Sequence, residues 1–192
     1  MVKQIRSWAF DEPVSSPFAV PEGFLGRMAG RIMLWLNDPR ELVAHIGEQR
    51  SVLEVGCGPG GLLRHLQAER VCGVDPSPDM LRLAARRNRG AELRRGTAAD
   101  TGYADQEFDV VVSVNNVAMW PDLDAGVREM CRVTRPGGRV LIAWHSATGR
   151  SPIARGNALP DDKLARIVQA LGDPVSRHEL ANLTLFDKRL LP

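Results

Sequence analysis

The stretch Val52-Leu53-Glu54-Val55-Gly56-Cys57-Gly58-Pro59-Gly60-Gly61-Leu62-Leu63 decides the fold. Strand-forming residues run into glycines at every second position, and helical spacing begins directly after them. Only glycine lets a backbone turn that sharply and leaves room for a ligand to lie against it. An acid, Asp75, closes the next apolar run, 19 positions after Gly56. A glycine turn under a ligand, with a carboxylate placed for a ribose, predicts a nucleoside site.

Outward from this run, strand and helix signals alternate. The pattern predicts strands at Val52–Val55, Val71–Val74, Ala91–Arg94, Asp109–Val114 and Arg139–Trp144. Helical spacing falls at Gly61–Gln67, Pro78–Asn88 and Leu123–Thr134, the second opened by a Ser77 cap and a first-turn proline. The two last strands are almost wholly apolar, as expected where helices cover both faces of a sheet. Such alternation means an α/β fold with a mostly parallel sheet, whose ligands lie beyond the carboxyl ends of the strands. Upstream, residues 1–22 carry Trp8, Phe10, Phe18 and three prolines without periodicity and read as an irregular arm. Phe24–Leu36 reads as a helix, and a second helix is expected from Asp38-Pro39-Arg40-Glu41. Downstream, Asp161–Leu171 reads as a helix stopped by Gly172, whereas Ser176 through Phe186 fits a helix or a strand equally.

The chain has 192 residues, enough for one domain with a substantial core. The expected layout is an arm with helices over 1–48, a ligand-binding core over 50–145, and a C-terminal helix and sheet edge over 146–192. A net charge of +2 argues against nucleic acid or an anionic membrane as a partner. No apolar run approaches the ~20 residues of a membrane span, and the N-terminus lacks a signal-peptide core. Cys57, Cys72 and Cys131 are widely spaced with no CxxC, which fits reduced thiols in a cytoplasm. The four histidines show no metal-binding spacing, so no metal is expected.

The same spacing formally fits a dinucleotide such as NAD, and two local details count against it. Pro59 has no N–H where a pyrophosphate needs donors, and Glu54, two residues before Gly56, repels a diphosphate but welcomes a cation. At this point the chain resembles the class I S-adenosylmethionine-dependent methyltransferases, in the branch with an E-x-G-x-G-x-G loop. The likeness runs over roughly 50–145. It covers Glu54–Gly60, Gly73–Leu81, Gly96–Asp100, Phe108–Ser113 and Arg132–Leu141, in the family's order and spacing. The resemblance implies a Rossmann-like sheet of up to seven strands, the last antiparallel, with helices on both faces. It also implies the cofactor S-adenosylmethionine and a small-molecule acceptor.

The resemblance assigns roles residue by residue. The loop at Gly56, Cys57, Gly58 and Gly60 lies against the methionyl part, with Glu54 favouring its positive end. Asp75 accepts from the ribose hydroxyls, and Pro76 and Met80 pack on the adenine. Ala98 and Ala99 offer backbone groups to its edge, and Asn115 offers its carbonyl to the ammonium. The family usually has an acid after Gly96, where this chain has Thr97; a hydroxyl holds the adenine amino group more weakly, unless Asp100 substitutes.

Asn116, Met119 and Trp120, past the fourth strand, are candidates for the acceptor pocket, and Trp120 fits core packing as well. His145 is either a general base or a structural histidine. The first helix, with Phe24, Met28, Arg31 and Trp35, is a candidate lid. Methyl transfer is the expected activity. The competing expectation is a protein that binds S-adenosylmethionine without transfer, or that needs a partner chain to complete its acceptor side, since only 48 residues follow Trp144 and the family's final two strands with their helix are not both evident there.

Overall fold

The structure, a computed structural model, describes residues 4–15, 23–36 and 40–192. Its elements are, in order, β1 (Gln4–Ser7), β2 (Phe10–Ser15), α1 (Gly23–Leu36), α2 (Arg40–Ile46), β3 (Gln49–Val55), β4 (Ala68–Asp75), α3 (Pro78–Arg87) and β5 (Glu92–Arg95). There follow β6 (Phe108–Val114), α4 (Leu123–Val133), β7 (Thr134–His145), α5 (Pro152–Gly156), α6 (Asp161–Leu171), β8 (Ser176–Glu179) and β9 (Leu183–Arg189).

Seven strands form one sheet in the order β5-β4-β3-β6-β7-β9-β8. The five from β5 to β7 are parallel, and β9 runs antiparallel to both β7 and β8. Alternate side chains explain the two cores. On β3, Val52 packs with Leu42 and Ile46 of α2, whereas Leu53 and Val55 face the opposite layer with Val127 and Met130 of α4 and Ile167 of α6. Each such fully buried aliphatic side chain contributes about 1.5–3 kcal/mol. The chain winds away from β3 in both directions, to β4 on one side and β6 on the other. Strand order therefore reverses there, and a crevice opens beyond Val55 and Val114.

Three expectations change. Gly61–Gln67 is not an α-helix but a single 3-10 turn at Leu63–His65. Its few residues must return to the sheet, where the Gln49 N–H already donates to the Gln67 carbonyl. The N-terminal arm is no irregular coil over its described part, because β1 and β2 pair as an antiparallel hairpin. Trp8 fastens it to the body, its indole N–H donating to the Val117 carbonyl at 2.8 Å. The ambiguous tail is strand, with β8 and β9 both in the sheet. The arm beyond Ser15, with Phe18, and the Asp38-Pro39 cap lie outside the described residues. Among the described residues, no helix is long and apolar enough to cross a membrane.

The first helix packs across α3. Asp79 Oδ2 accepts from the Gly23 N–H at 2.7 Å, and its other oxygen pairs with Arg27 and Arg82. Gly30 brings α1 close, since a Cβ there would meet the Met80 thioether at 2.9 Å. Among the described side chains of α1, the buried positions are Gly26 and Gly30. Phe24 is 67% exposed and Met28 47%, Arg31 is exposed too, and none of the three lines the cavity over the glycine turn. The side chain of Trp35 lies outside what is described.

Candidate functional site

The glycine turn caps β3 in a conformation only glycine takes without strain. Gly56, Gly58 and Gly60 have φ of 73°, 51° and 77°. At Gly56 a Cβ would also lie 2.5 Å from the Asn116 side chain, so space and backbone exclude any other residue. The turn's donors are committed internally. The Gly56 and Cys57 N–H groups both donate to the Val74 carbonyl, Gly58 N–H donates to Asp75 Oδ2 at 2.8 Å, and Gly60 N–H donates to the Cys57 carbonyl. Pro59 has none. From Gly56 to Gly60 every backbone donor is taken, so a diphosphate would find none in that stretch.

Two carboxylates sit at the turn. Glu54, 4% exposed, leaves its Oε2 buried with no hydrogen-bond partner. Burial, and next the neighbouring Asp75 charge, hold its carboxyl well above the usual range. Asp75 accepts from the Gly58 and Ser77 N–H groups, yet burial still pushes it up to about 6. Burial, followed by the Glu54 and Asp75 charges, also raises the Cys57 thiol, which makes a thiolate unfavourable.

The Asp75 shift has a testable sign. Between about pH 4 and about pH 6 the unfolded chain loses this proton while the folded chain keeps it, so the group's contribution to stability falls as pH rises. Asp75→Asn is therefore expected to gain stability relative to the parent across that interval. Urea denaturation at matched pH values measures the difference, and a pH-independent difference would refute it.

A cavity of about 860 Å³, its open mouth included, lies over the turn. Glu54, Gly56, Cys57, Gly58 and Asn115 line it together with His145. Asn115 holds a left-handed φ of 52°, tolerable for asparagine, with its N–H donating to the Ala143 carbonyl. Burial lowers the His145 pKa, which favours the neutral imidazole. Sequence reasoning missed the rest of the wall, including Leu34 of α1, Leu42 of α2, Ser151, Ile153 of α5, Asn182 and Leu183.

Other expected site residues lie elsewhere. Pro76, Thr97 and Ala99 are exposed and Ala98 is half-buried, with Thr97 and Asp100 closing a tight turn through their backbones. Met80 is fully buried against α1. Asn116 and Trp120, expected in the acceptor pocket, belong to the scaffold. Asn116 Nδ2 donates to the Val55 carbonyl at 2.8 Å, and its Oδ1 accepts from the Trp120 indole at 2.6 Å. Trp120 is 5% exposed, and Met119 packs half-buried against the same core. Both turn away because the segment after β6 folds into a 3-10 turn at Val117–Met119, on which the β1–β2 hairpin sits.

Residues 53–142 match the family described as "Methyltransferase domain". A phosphatidylethanolamine N-methyltransferase of Cereibacter sphaeroides is 35% identical over 142 residues, 69% of this chain and 68% of that protein. A fatty-acid O-methyltransferase of Mycolicibacterium smegmatis is 37% identical over 122 residues, 55% of this chain and 44% of that protein. The chain spans about half the length of several curated relatives it matches. A solved phosphoethanolamine N-methyltransferase of Haemonchus contortus, in complex with S-adenosyl-L-methionine, shares the fold. It has a TM-score of 0.69 at 15% identity, covering 94% of this chain and 62% of that one. A donor-exhausted glycine turn flanked by two buried carboxylates, on a sheet of this order and with these relatives, leads to one conclusion: the chain belongs to the class I S-adenosylmethionine-dependent methyltransferases.

Proposed function

We propose that this chain transfers a methyl group from S-adenosylmethionine to a small acceptor with an apolar portion. The observation that carries the reading is the unpartnered Glu54 oxygen, buried in the cavity wall beside a turn whose donors from Gly56 to Gly60 are already taken. Such a group is costly unless a cation or donor meets it, and the ligand's ammonium and sulfonium supply both. Once bound, S-adenosylmethionine presents a methyl on positively charged sulfur, so the protein's contribution is largely positioning. Asp75 accepts the ribose hydroxyls through its remaining lone pairs, and Asn115 orients the ammonium. Pro76 and the turn at Thr97, Ala98 and Ala99 form the adenine rim, with Met80 supporting it from below.

The acceptor side is walled by Leu34, Leu42, Ile153 and Leu183, with His145 as its titratable group. The relatives named for fatty acids and for phosphatidylethanolamine support an apolar-tailed acceptor. The alternative, an acceptor side left open for want of edge strands, loses its ground because β8 and β9 are both present.

Calorimetry with S-adenosylhomocysteine tests the cofactor site, and the absence of any binding heat would overturn it. Turnover of S-adenosylmethionine with oleate and with phosphatidylethanolamine tests transfer. A carboxylate acceptor has no proton to lose, whereas an ammonium must lose one before attack. His145→Ala is therefore expected to slow an amine acceptor about 100-fold and leave a carboxylate acceptor unaffected. Equal effects on both would remove His145 from proton transfer.

A further inference from the structure

We propose a divalent-metal site, built from His45, His178 and Asp187, that clasps α2 to the C-terminal hairpin. One donor atom from each residue lies within 4.8 Å of the others. His45 Nε2 stands 3.0 Å from Asp187 Oδ2, and the two imidazole rings are 4.6 Å apart, centre to centre. Ligand atoms around a tetrahedral Zn²⁺, with bonds of 2.0–2.1 Å, lie about 3.3 Å from one another. The cluster therefore needs only side-chain adjustment to close on an ion. Two imidazoles and a carboxylate suit Zn²⁺ over Mg²⁺ or Ca²⁺, with water in the fourth position.

The surroundings are those of a held ligand set. Arg139 donates to both Asp187 oxygens, at 2.7 and 3.3 Å, and to the His45 and Ile46 carbonyls. It fixes the carboxylate from behind; Oδ1 keeps a lone pair for a cation, and Oδ2 frees one when its contact with His45 gives way. The three side chains are partly buried, so an ion has an entry path while the residues stay ordered. Metal would replace the hydrogen bond between His45 and Asp187 and release a proton from any protonated imidazole.

The location gives the ion a consequence. His45 is three residues after Leu42 on α2, and Asp187 is four residues after Leu183 on β9; both leucines line the cavity. An ion here would join two walls of the acceptor side without touching the cofactor turn.

Metal-stripped protein titrated with Zn²⁺ alone decides the matter. One equivalent is expected to bind, raising the melting temperature by about 5–10 °C at a hundredfold excess over Kd. His178→Ala, on a half-exposed edge strand, is expected to lose the shift and at least tenfold in affinity, and His45→Gln to do the same. His65→Ala, an exposed histidine elsewhere, serves as the control and should bind as the parent does. No binding by the parent, or equal binding by His178→Ala, would overturn the site.

Discussion

Asp75→Ala is expected to weaken S-adenosylhomocysteine binding by about 2–4 kcal/mol, roughly 30- to 900-fold in Kd. Two ribose hydroxyls lose a charged acceptor, each such bond contributing about 1.5–3 kcal/mol, and water entering the vacated space returns part of the loss. The glycine turn also loses an anchor, because Asp75 holds the Gly58 N–H at 2.8 Å and the Ser77 N–H at 2.8 Å. The fold should survive, since the substitution also removes a carboxylate that burial disfavours. Calorimetry on the folded variant measures the loss. Unchanged affinity would show that the ribose lies elsewhere.

The second large effect is on stability. Asn116→Ala is expected to destabilise the protein by about 2–4 kcal/mol, because it orphans two groups that each cost about 1–3 kcal/mol when left unpaired. The Trp120 indole loses its acceptor and the Val55 carbonyl its side-chain donor. Part of the cost is relieved because the Val55 carbonyl is beside the open crevice. Denaturant midpoints report the change. If Asn116 served the acceptor rather than the scaffold, stability would hold while turnover fell, and a parental midpoint would reject the structural role.

What the sequence made legible was local. The glycine turn, Asp75 and the Ser77 cap are encoded within a few residues, and the Ser77 hydroxyl does accept from the Met80 N–H. The inner strands β3, β4, β6 and β7 were visible because their buried stretches read as apolar runs. The rest depends on partners far apart in the chain. Asn116 reads as a pocket residue until the Trp120 indole and the Val55 carbonyl are seen around it. Leu34, Leu42 and Asn182 reach one cavity from three separate elements, with no shared motif. Glu129 gave no signal, yet burial, which would raise its pKa, is outweighed by pairing with Arg132 and by bonds from the Thr101 hydroxyl and N–H, which together pull it to about 2. The same limit hid the cluster of His45, His178 and Asp187, since sequence spacing detects only ligands on neighbouring turns. The tail was ambiguous because β8 is polar, being an edge strand with little surface to bury.

That edge has a counterpart. The sheet ends in β5 on one flank and β8 on the other, each four residues long, with exposed Glu92, Arg94 and Arg95 on the first and exposed Arg177 and Glu179 on the second. Unpaired backbone on an open flank invites another chain to add a strand, and short, charged borders discourage it. Copies of this protein are therefore not expected to join edge to edge through the seven-stranded sheet, leaving that ribbon of strands discontinuous from one copy to the next.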